Sequence, residues 1–208
     1  FFREGTHVIC PVRQTGQLLV ASVDTIDRVM AALRSLGMAE SAELELSENV
    51  DASHRVLHLE TAAQAAPRAF SGLAMSEGLT GFTVSTAVRG PRAVVLGGDP
   101  HVTDTVVVDG SAVRLRRHVL AFFQGNRYLL ASLVSHVVGH IERGARVVDL
   151  YAGTGLFSAT AAVARAAVVT AVEGDPSGAA DLAANAAACG GSVRAVHQSV
   201  ESFVAQSR

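Results

Sequence analysis

Residues 146–155 read Arg-Val-Val-Asp-Leu-Tyr-Ala-Gly-Thr-Gly, and this stretch decides the fold. Arg146–Leu150 is a short apolar run of the kind that forms a buried strand, and Leu156–Arg165 has helical periodicity. Between them, Gly153 and Gly155 let the main chain turn tightly and let a ligand approach the backbone. The start of the following helix offers free N–H groups and a positive dipole end to a carboxylate or phosphate. Tyr151 is placed to lie against part of such a ligand.

Working outward, Ala167–Val172 predicts a second strand that runs into Glu173. An acid at the end of the second strand of a doubly wound sheet can accept hydrogen bonds from both hydroxyls of a ribose. Asp175 is its neighbour and competitor, but Asp175-Pro176 better fits an N-cap followed by proline in the first helical position. That helix is expected to run to Cys189, with Gly190 beyond it, and Val193–Val196 predicts a third strand. Strands alternating with helices imply βαβ units and a parallel sheet. The dinucleotide fingerprint asks for a third glycine at position 158, where this chain has Ser158.

Upstream, Gln124–Ile141 is read as a helix with apolar positions Leu129, Leu130, Leu133, Val134, Val137, Val138 and Ile141. It is preceded by Phe122-Phe123-Gln124-Gly125-Asn126, two apolar anchors and two amides at a strand-to-helix junction. Such amides cap a helix or hydrogen-bond a ligand; for Asn126 both remain open, and for Gln124 ligand contact is preferred.

The first half reads as mixed α and β. Val8–Val12 is a short apolar stretch. Ser22 or Asp24 is expected to cap a helix carrying Ile26, Val29, Met30, Leu33 and Leu36, with Gly37 as its stop. Strand-like runs follow at Ala42–Leu46 and Arg55–Thr61, and a short helix from Pro67 to about Met75. Further strands are expected at Gly81–Val88, Ala93–Leu96, Val102–Val108 and Ala112–Leu115, the last two joined by a tight Asp109-Gly110 hairpin. The expected boundary lies near residue 117, giving an α+β substrate-side domain over 1–117 and a partial ligand-binding α/β domain over 118–208.

Composition sets limits. The 208 residues are 49% hydrophobic, with a formal net charge of −2, so no strongly basic nucleic-acid binder is announced. All 17 basic residues are arginine, which fits a GC-rich coding bias better than a site. No apolar run approaches a membrane span, and no signal peptide is visible. Cys10 and Cys189 sit in no metal or redox spacing, which fits a reducing cytoplasm. The chain opens on Phe1 rather than Met, so its start is expected upstream.

Asp-Leu-Tyr-x-Gly-x-Gly at 149–155 resembles the first motif of class I methyltransferases. Taken with Phe-Phe-Gln-x-Asn at 122–126, Val-Glu-Gly-Asp at 172–175 and Asn185, it resembles the RNA uridine C5-methyltransferases acting on 23S ribosomal RNA or transfer RNA. The resemblance is strong from about residue 112 and looser before it. It implies the first half of a Rossmann-like methyltransferase sheet, with S-adenosylmethionine as cofactor. Asp149 opens the glycine turn, the methionine moiety sits over Gly153–Gly155, and Glu173 holds the ribose. Gln124, Tyr151 and Ser199 fall on further cofactor positions.

It also implies an RNA partner, ribosomal rather than transfer RNA, a cytoplasmic enzyme with no membrane association, and a monomer at full length. An iron–sulfur cluster is not expected, because Thr15 takes the place where some members carry a cluster cysteine. The family's nucleophilic cysteine and base lie downstream of the third strand, so no catalytic residue is expected within this chain, which is expected to be an inactive fragment with a sticky edge on its first sheet strand. Cys10, in an apolar run, and Cys189, at a helix end, are read as structural. His136 and His140 have i, i+4 spacing but no evident third ligand, so no metal is expected. Arg114 and Arg116 share one face of a strand, either as a solvated edge or as contacts to RNA phosphates. Two rival readings remain: a class I methyltransferase for a small molecule or protein, and a non-catalytic RNA- or nucleotide-binding module.

Overall fold

The computed structural model describes residues 4–38, 42–62, 67–73, 78–86 and 90–206. Contacts group the chain into two compact units, residues 1–46 with 55–100, and residues 47–54 with 101–208.

The first unit contains helices α1 (Val12–Thr15) and α2 (Val20–Ser35), strand β1 (Ala42–Glu48) up to Leu46, strands β2 (Arg55–Thr61), β3 (Gly81–Thr86) and β4 (Gly90–Gly98), and a 3₁₀ turn over Pro67–Leu73. The sheet order is β1-β2-β3-β4. β2 and β3 are parallel, and β3 and β4 antiparallel. Val29 and Leu33 of α2 pack with Leu57, Leu59, Phe70, Phe82 and Val84, the spacing that lays one helix stripe on a sheet.

Several expectations are corrected here. α2 starts at Val20 without a side-chain cap. Ser22 is instead buried inside it, and Asp24 pairs with Arg13 at 2.7 Å. The stop at Gly37 holds: its φ is +68°, and the Met38 N–H reaches back to Leu33 O, closing a Schellman motif. The apolar stretch Val8–Val12 does not form an element of its own: Val12 begins α1, and Val8 and Ile9 are exposed. Met75, Val88 and the residues around them lie outside the described residues.

The second unit begins with the hairpin β5 (His101–Val108) and β6 (Ser111–His118), paired from His101↔His118 to Val108↔Ser111. Asp109 and Gly110 both have positive φ, +48° and +78°, as a type I′ turn requires. There follow α3 (Leu130–Gly139), β7 (Arg146–Leu150), α4 (Leu156–Arg165), β8 (Val168–Glu173), α5 (Pro176–Ala187), β9 (Val193–His197) and α6 (Val200–Gln206). β7, β8 and β9 form a parallel sheet in that order. One core joins Val106, Val108, Val113 and Leu115 of the hairpin to Leu130, Val134 and Val138 of α3 and Leu156 of α4. A second lies between the sheet and helices α4 and α5, around Ala161, Val169, Leu182 and Val193.

The expected helix from Gln124 is shorter, because it starts only at Leu130. Asn126 Oδ1 accepts the N–H groups of Tyr128 and Leu129 at 3.1 and 3.2 Å, so a local turn captures the donors and residues 122–126 remain non-helical. The Asp175 cap holds, with its carboxylate accepting from Gly178 N–H at 2.7 Å. Among the described residues, no helix is long and apolar enough to cross a membrane.

Candidate ligand site at the glycine turn

The site is built where β7 and β8 end side by side. Leu150 pairs with Val172, so the turn after β7 and Glu173 at the end of β8 lie at the same end of the sheet. Gly153 and Gly155 have φ of +56° and +91°, values that glycine adopts freely. Tyr151 adopts +57° without being glycine. Strain of this kind persists only where surrounding contacts hold it. Here the phenol O–H donates to Glu201 Oε1 at 2.9 Å, while the ring is 68% exposed and presents an aromatic face to any bound molecule. The bond to the Glu201 carboxylate pushes the phenol pKa up.

Glu173 is buried and its carboxylate is held from two sides. Gly153 N–H donates to Oε2 and Asp175 N–H to Oε1, each at 2.7 Å. Each oxygen accepts one backbone donor and keeps capacity for another. The carboxylate thereby fixes the distance between the two loops.

Asp149 is half-buried at the end of β7. Its Oδ2 accepts from the Ser158 hydroxyl at 2.6 Å. Burial pushes its carboxyl pKa up, the Ser158 bond opposes that, and the negative charge of Glu173 adds to it. Ser158 stands where a dinucleotide fold would have its third glycine, and it uses that place to tie the strand end to α4.

The amide segment reaches the same turn. A Cβ on Gly153 would lie 3.7 Å from Phe122 O, so the backbone of Phe122 passes beside the glycine. Gln124 is half-buried two residues further on. Ser199 lies beside the second loop, with its Cα 3.5 Å from where a Cβ on Gly174 would stand. Its hydroxyl accepts the Ser202 N–H at 3.3 Å and contacts the Ser202 hydroxyl at 2.9 Å, so it helps start α6. The structure thus brings Gly153, Gly155, Tyr151, Glu173, the Phe122 backbone and Ser199 to one end of the sheet, with Asp149 half-buried at the end of β7 and tied to Ser158. Glu201 was missed in the sequence, where a single exposed acid gives no signal.

A side chain at Gly155 is strained. A Cβ there would meet Leu182 Cδ1 at 2.8 Å at a backbone angle that disfavours L residues. Gly155→Ala is expected to lower the unfolding free energy by about 1–3 kcal/mol, read from the urea midpoint. Gly125→Ala, where a Cβ meets nothing within 4 Å, serves as its near-neutral control.

The remaining candidates separate. Arg114 and Arg116 are exposed on one face of β6, and Arg117 points inward. His136 and His140 stack edge to face at 4.7 Å. Among the described residues, no group of three His, Cys, Asp or Glu is placed to hold a metal ion. Cys189 is half-buried and burial pushes its thiol pKa up, while Cys10 is half-buried outside any strand.

No family model matches the chain. An uncharacterized RNA methyltransferase of Rhizobium meliloti (strain 1021) is 32% identical over 169 residues, covering 80% of this chain and 36% of the relative. The chain therefore spans about a third of that relative's length, at the 36% just given. Among solved structures, the tRNA (uracil-54, C5)-methyltransferase of Pyrococcus abyssi, in complex with S-adenosyl-L-homocysteine, matches with a TM-score of 0.63 at 16% identity, covering 96% of this chain and 52% of that one. The chain is thus similar in sequence to an RNA methyltransferase, and it has the mixed α/β, Rossmann-like fold of the class I S-adenosylmethionine-dependent methyltransferases.

Proposed function

We propose that this chain binds S-adenosylmethionine at the glycine turn and serves methyl transfer to C5 of a uridine in RNA, with ribosomal RNA as the expected substrate class. The observation that carries the cofactor reading is the Glu173 carboxylate, gripped by Gly153 and Asp175 N–H groups beside an open glycine turn. Its two remaining acceptor directions suit a vicinal diol, as a ribose provides. The residues present fit the cofactor: Glu173 for the ribose, the Gly153–Gly155 backbone for the methionine end, and Tyr151, Gln124 and Ser199 around them. When bound, the cofactor supplies a methyl group on a sulfonium.

The uridine reading rests on the Phe122–Asn126 segment, which a small-molecule methyltransferase does not need, and on its place against Gly153. Neither cysteine serves as nucleophile in this reading: burial pushes the Cys189 thiol pKa up and it packs among core residues, and Cys10 lies in the other unit of the chain. Arg114 and Arg116 are assigned to backbone phosphates, because exposed guanidiniums on one strand face track a polyanion.

Titration calorimetry tests the cofactor. S-adenosylhomocysteine is expected to bind and NAD not, and Glu173→Ala is expected to weaken binding about tenfold or more through the lost charged hydrogen bonds. Binding of NAD alone defeats the methyltransferase reading. Transcripts of 23S ribosomal RNA and of transfer RNA, tritiated at uridine C5, test the acceptor once the nucleophile, which neither cysteine of this chain provides, is supplied together with the chain. Methylation there releases tritium to water, and methylation with full retention of tritium places the methyl elsewhere.

A further inference from the structure

Between β6 and α3 the chain passes the glycine turn without the support of a hydrogen-bonded ladder. Residues 122–126 belong to no helix or strand. Main-chain bonds hold the flanks: the Ala121 N–H donates to His118 O at 2.9 Å, and the Leu130 N–H to Asn126 O at 3.1 Å. A segment of this kind takes its course from the side chains that anchor it, and a site residue carried on it is placed no better than those anchors allow.

Arg127 is such an anchor. It stands three residues after Gln124, and its side chain is 16% exposed. One terminal nitrogen pairs with Glu48 Oε1, on a side chain that is 6% exposed, and the other donates to Val50 O at 3.2 Å. The stretch that receives it is itself fastened to β5. The Asn49 amide donates to Thr103 O at 2.9 Å, and the Val50 N–H to Asp104 Oδ1 at 2.8 Å. Val50 also packs against the core that contains Val106 and Leu130. On the other side of Gln124, the Phe123 ring lies against the Arg117 guanidinium, which donates to Glu48 O. Gln124 is thus bracketed, one residue before and three residues after, by contacts that lead to the same 47–50 stretch.

A largely buried ion pair adds little net stability, because desolvation offsets much of the Coulomb gain. What the two-point grip supplies is direction, since a planar guanidinium that meets a carboxylate and a carbonyl at once is fixed in orientation. The consequence falls on the glycine turn, because Phe122 O lies 3.7 Å from where a Cβ on Gly153 would stand.

We propose that Arg127 is a positioning residue: by gripping Glu48 and Val50 O, it holds the Gln124 amide in reach of the cofactor at the glycine turn. The assignment rests on the cofactor reading above, in which Gln124 contacts S-adenosylmethionine. It adds a residue that touches neither cofactor nor substrate and acts through another side chain.

A double-mutant cycle on the 208-residue chain tests it, read by calorimetry with S-adenosylhomocysteine. Gln124→Ala is expected to weaken binding about threefold or more, the effect of one lost hydrogen bond, and Arg127→Met by a similar factor. In the Gln124→Ala background, Arg127→Met is expected to weaken binding no further, because the amide it would misplace is gone. The urea midpoint should fall for Arg127→Met in both backgrounds. Arg127→Lys keeps the charge beside Glu48 and loses the fork; it is expected to weaken binding less, with the same cancellation, and it carries the cycle should Arg127→Met fail to fold. Equal weakening by the Arg127 change in both backgrounds, or none in either, overturns the positioning role and leaves the cofactor reading standing. If Gln124→Ala leaves the affinity unchanged, Gln124 is no cofactor contact and the assignment falls with it, while binding by the parent still upholds the glycine turn. If the parent does not bind S-adenosylhomocysteine, the cofactor reading itself fails and takes this assignment with it.

Discussion

Replacing Arg117 by alanine is expected to lower the unfolding free energy by about 3–5 kcal/mol, the range found when one partner of a buried ion pair is removed. Alternation along β6 turns Arg117 inward, and its side chain is 7% exposed against 0% for Asp104. Its Nε lies 2.7 Å from Asp104 Oδ2, its terminal nitrogens donate to Ser47 Oγ and to Glu48 O, and its guanidinium carbon lies 4.5 Å from the Phe123 ring centroid. Asp104 Oδ1 meanwhile accepts the Val50 N–H at 2.8 Å. One cation therefore joins the hairpin, the 47–50 stretch and the segment that leads to Gln124. Removing it strands a buried carboxylate and frees two acceptors. Urea denaturation measures the loss, and the double variant with Asp104→Ala should recover part of it, because no unpaired charge then remains. A loss below about 1 kcal/mol for Arg117→Ala would show the pair to be hydrated rather than buried.

Asn185→Ala is expected to cost about 2–4 kcal/mol, since three hydrogen bonds to main-chain groups disappear together. Its Oδ1 accepts the Arg116 N–H at 2.9 Å, and its Nδ2 donates to Arg116 O and Thr154 O, each at 2.8 Å. One turn earlier on α5, Asp181 accepts the His118 N–H. Residues at i and i+4 share a helix face, so the two side chains serve the free edge of β6 as a neighbouring strand would. The Thr154 bond carries this support into the glycine turn. Asn185→Ala should accordingly weaken S-adenosylhomocysteine binding as well as stability, whereas Arg194→Ala, at an exposed position on β9, should change neither. A stability loss without any effect on the ligand would confine Asn185 to the scaffold.

These two residues mark how far the sequence could be read. The glycine turn, the β8 acid and the Asp175-Pro176 cap were legible, because each depends on neighbours within a few positions. The inward and outward sides of β6 were legible by alternation. What Arg117 would meet was not, since Ser47 and Glu48 lie far away in the chain and only tertiary packing brings them to it. Asn185 carried a signal by resemblance, without a partner. The late start of α3 was missed because an apolar period says which residues share a face, while the start depends on whether Asn126 takes the N–H groups of Tyr128 and Leu129. α6 and Glu201 went unread, as a short helix with one exposed acid has no distinctive spacing.

The bond between Tyr151 and Glu201 has an optical consequence. The chain contains no tryptophan and two tyrosines, so its near-ultraviolet absorbance and emission come almost wholly from phenol rings. One of these sits on the glycine turn with its ionisation displaced upward by a carboxylate. With Tyr128 changed to phenylalanine, Tyr151 becomes the sole chromophore of its kind. An alkaline absorbance titration then reports directly on whether the phenol is still tethered, and a ligand that draws the ring away from Glu201 announces itself as a shift of that curve, without a label.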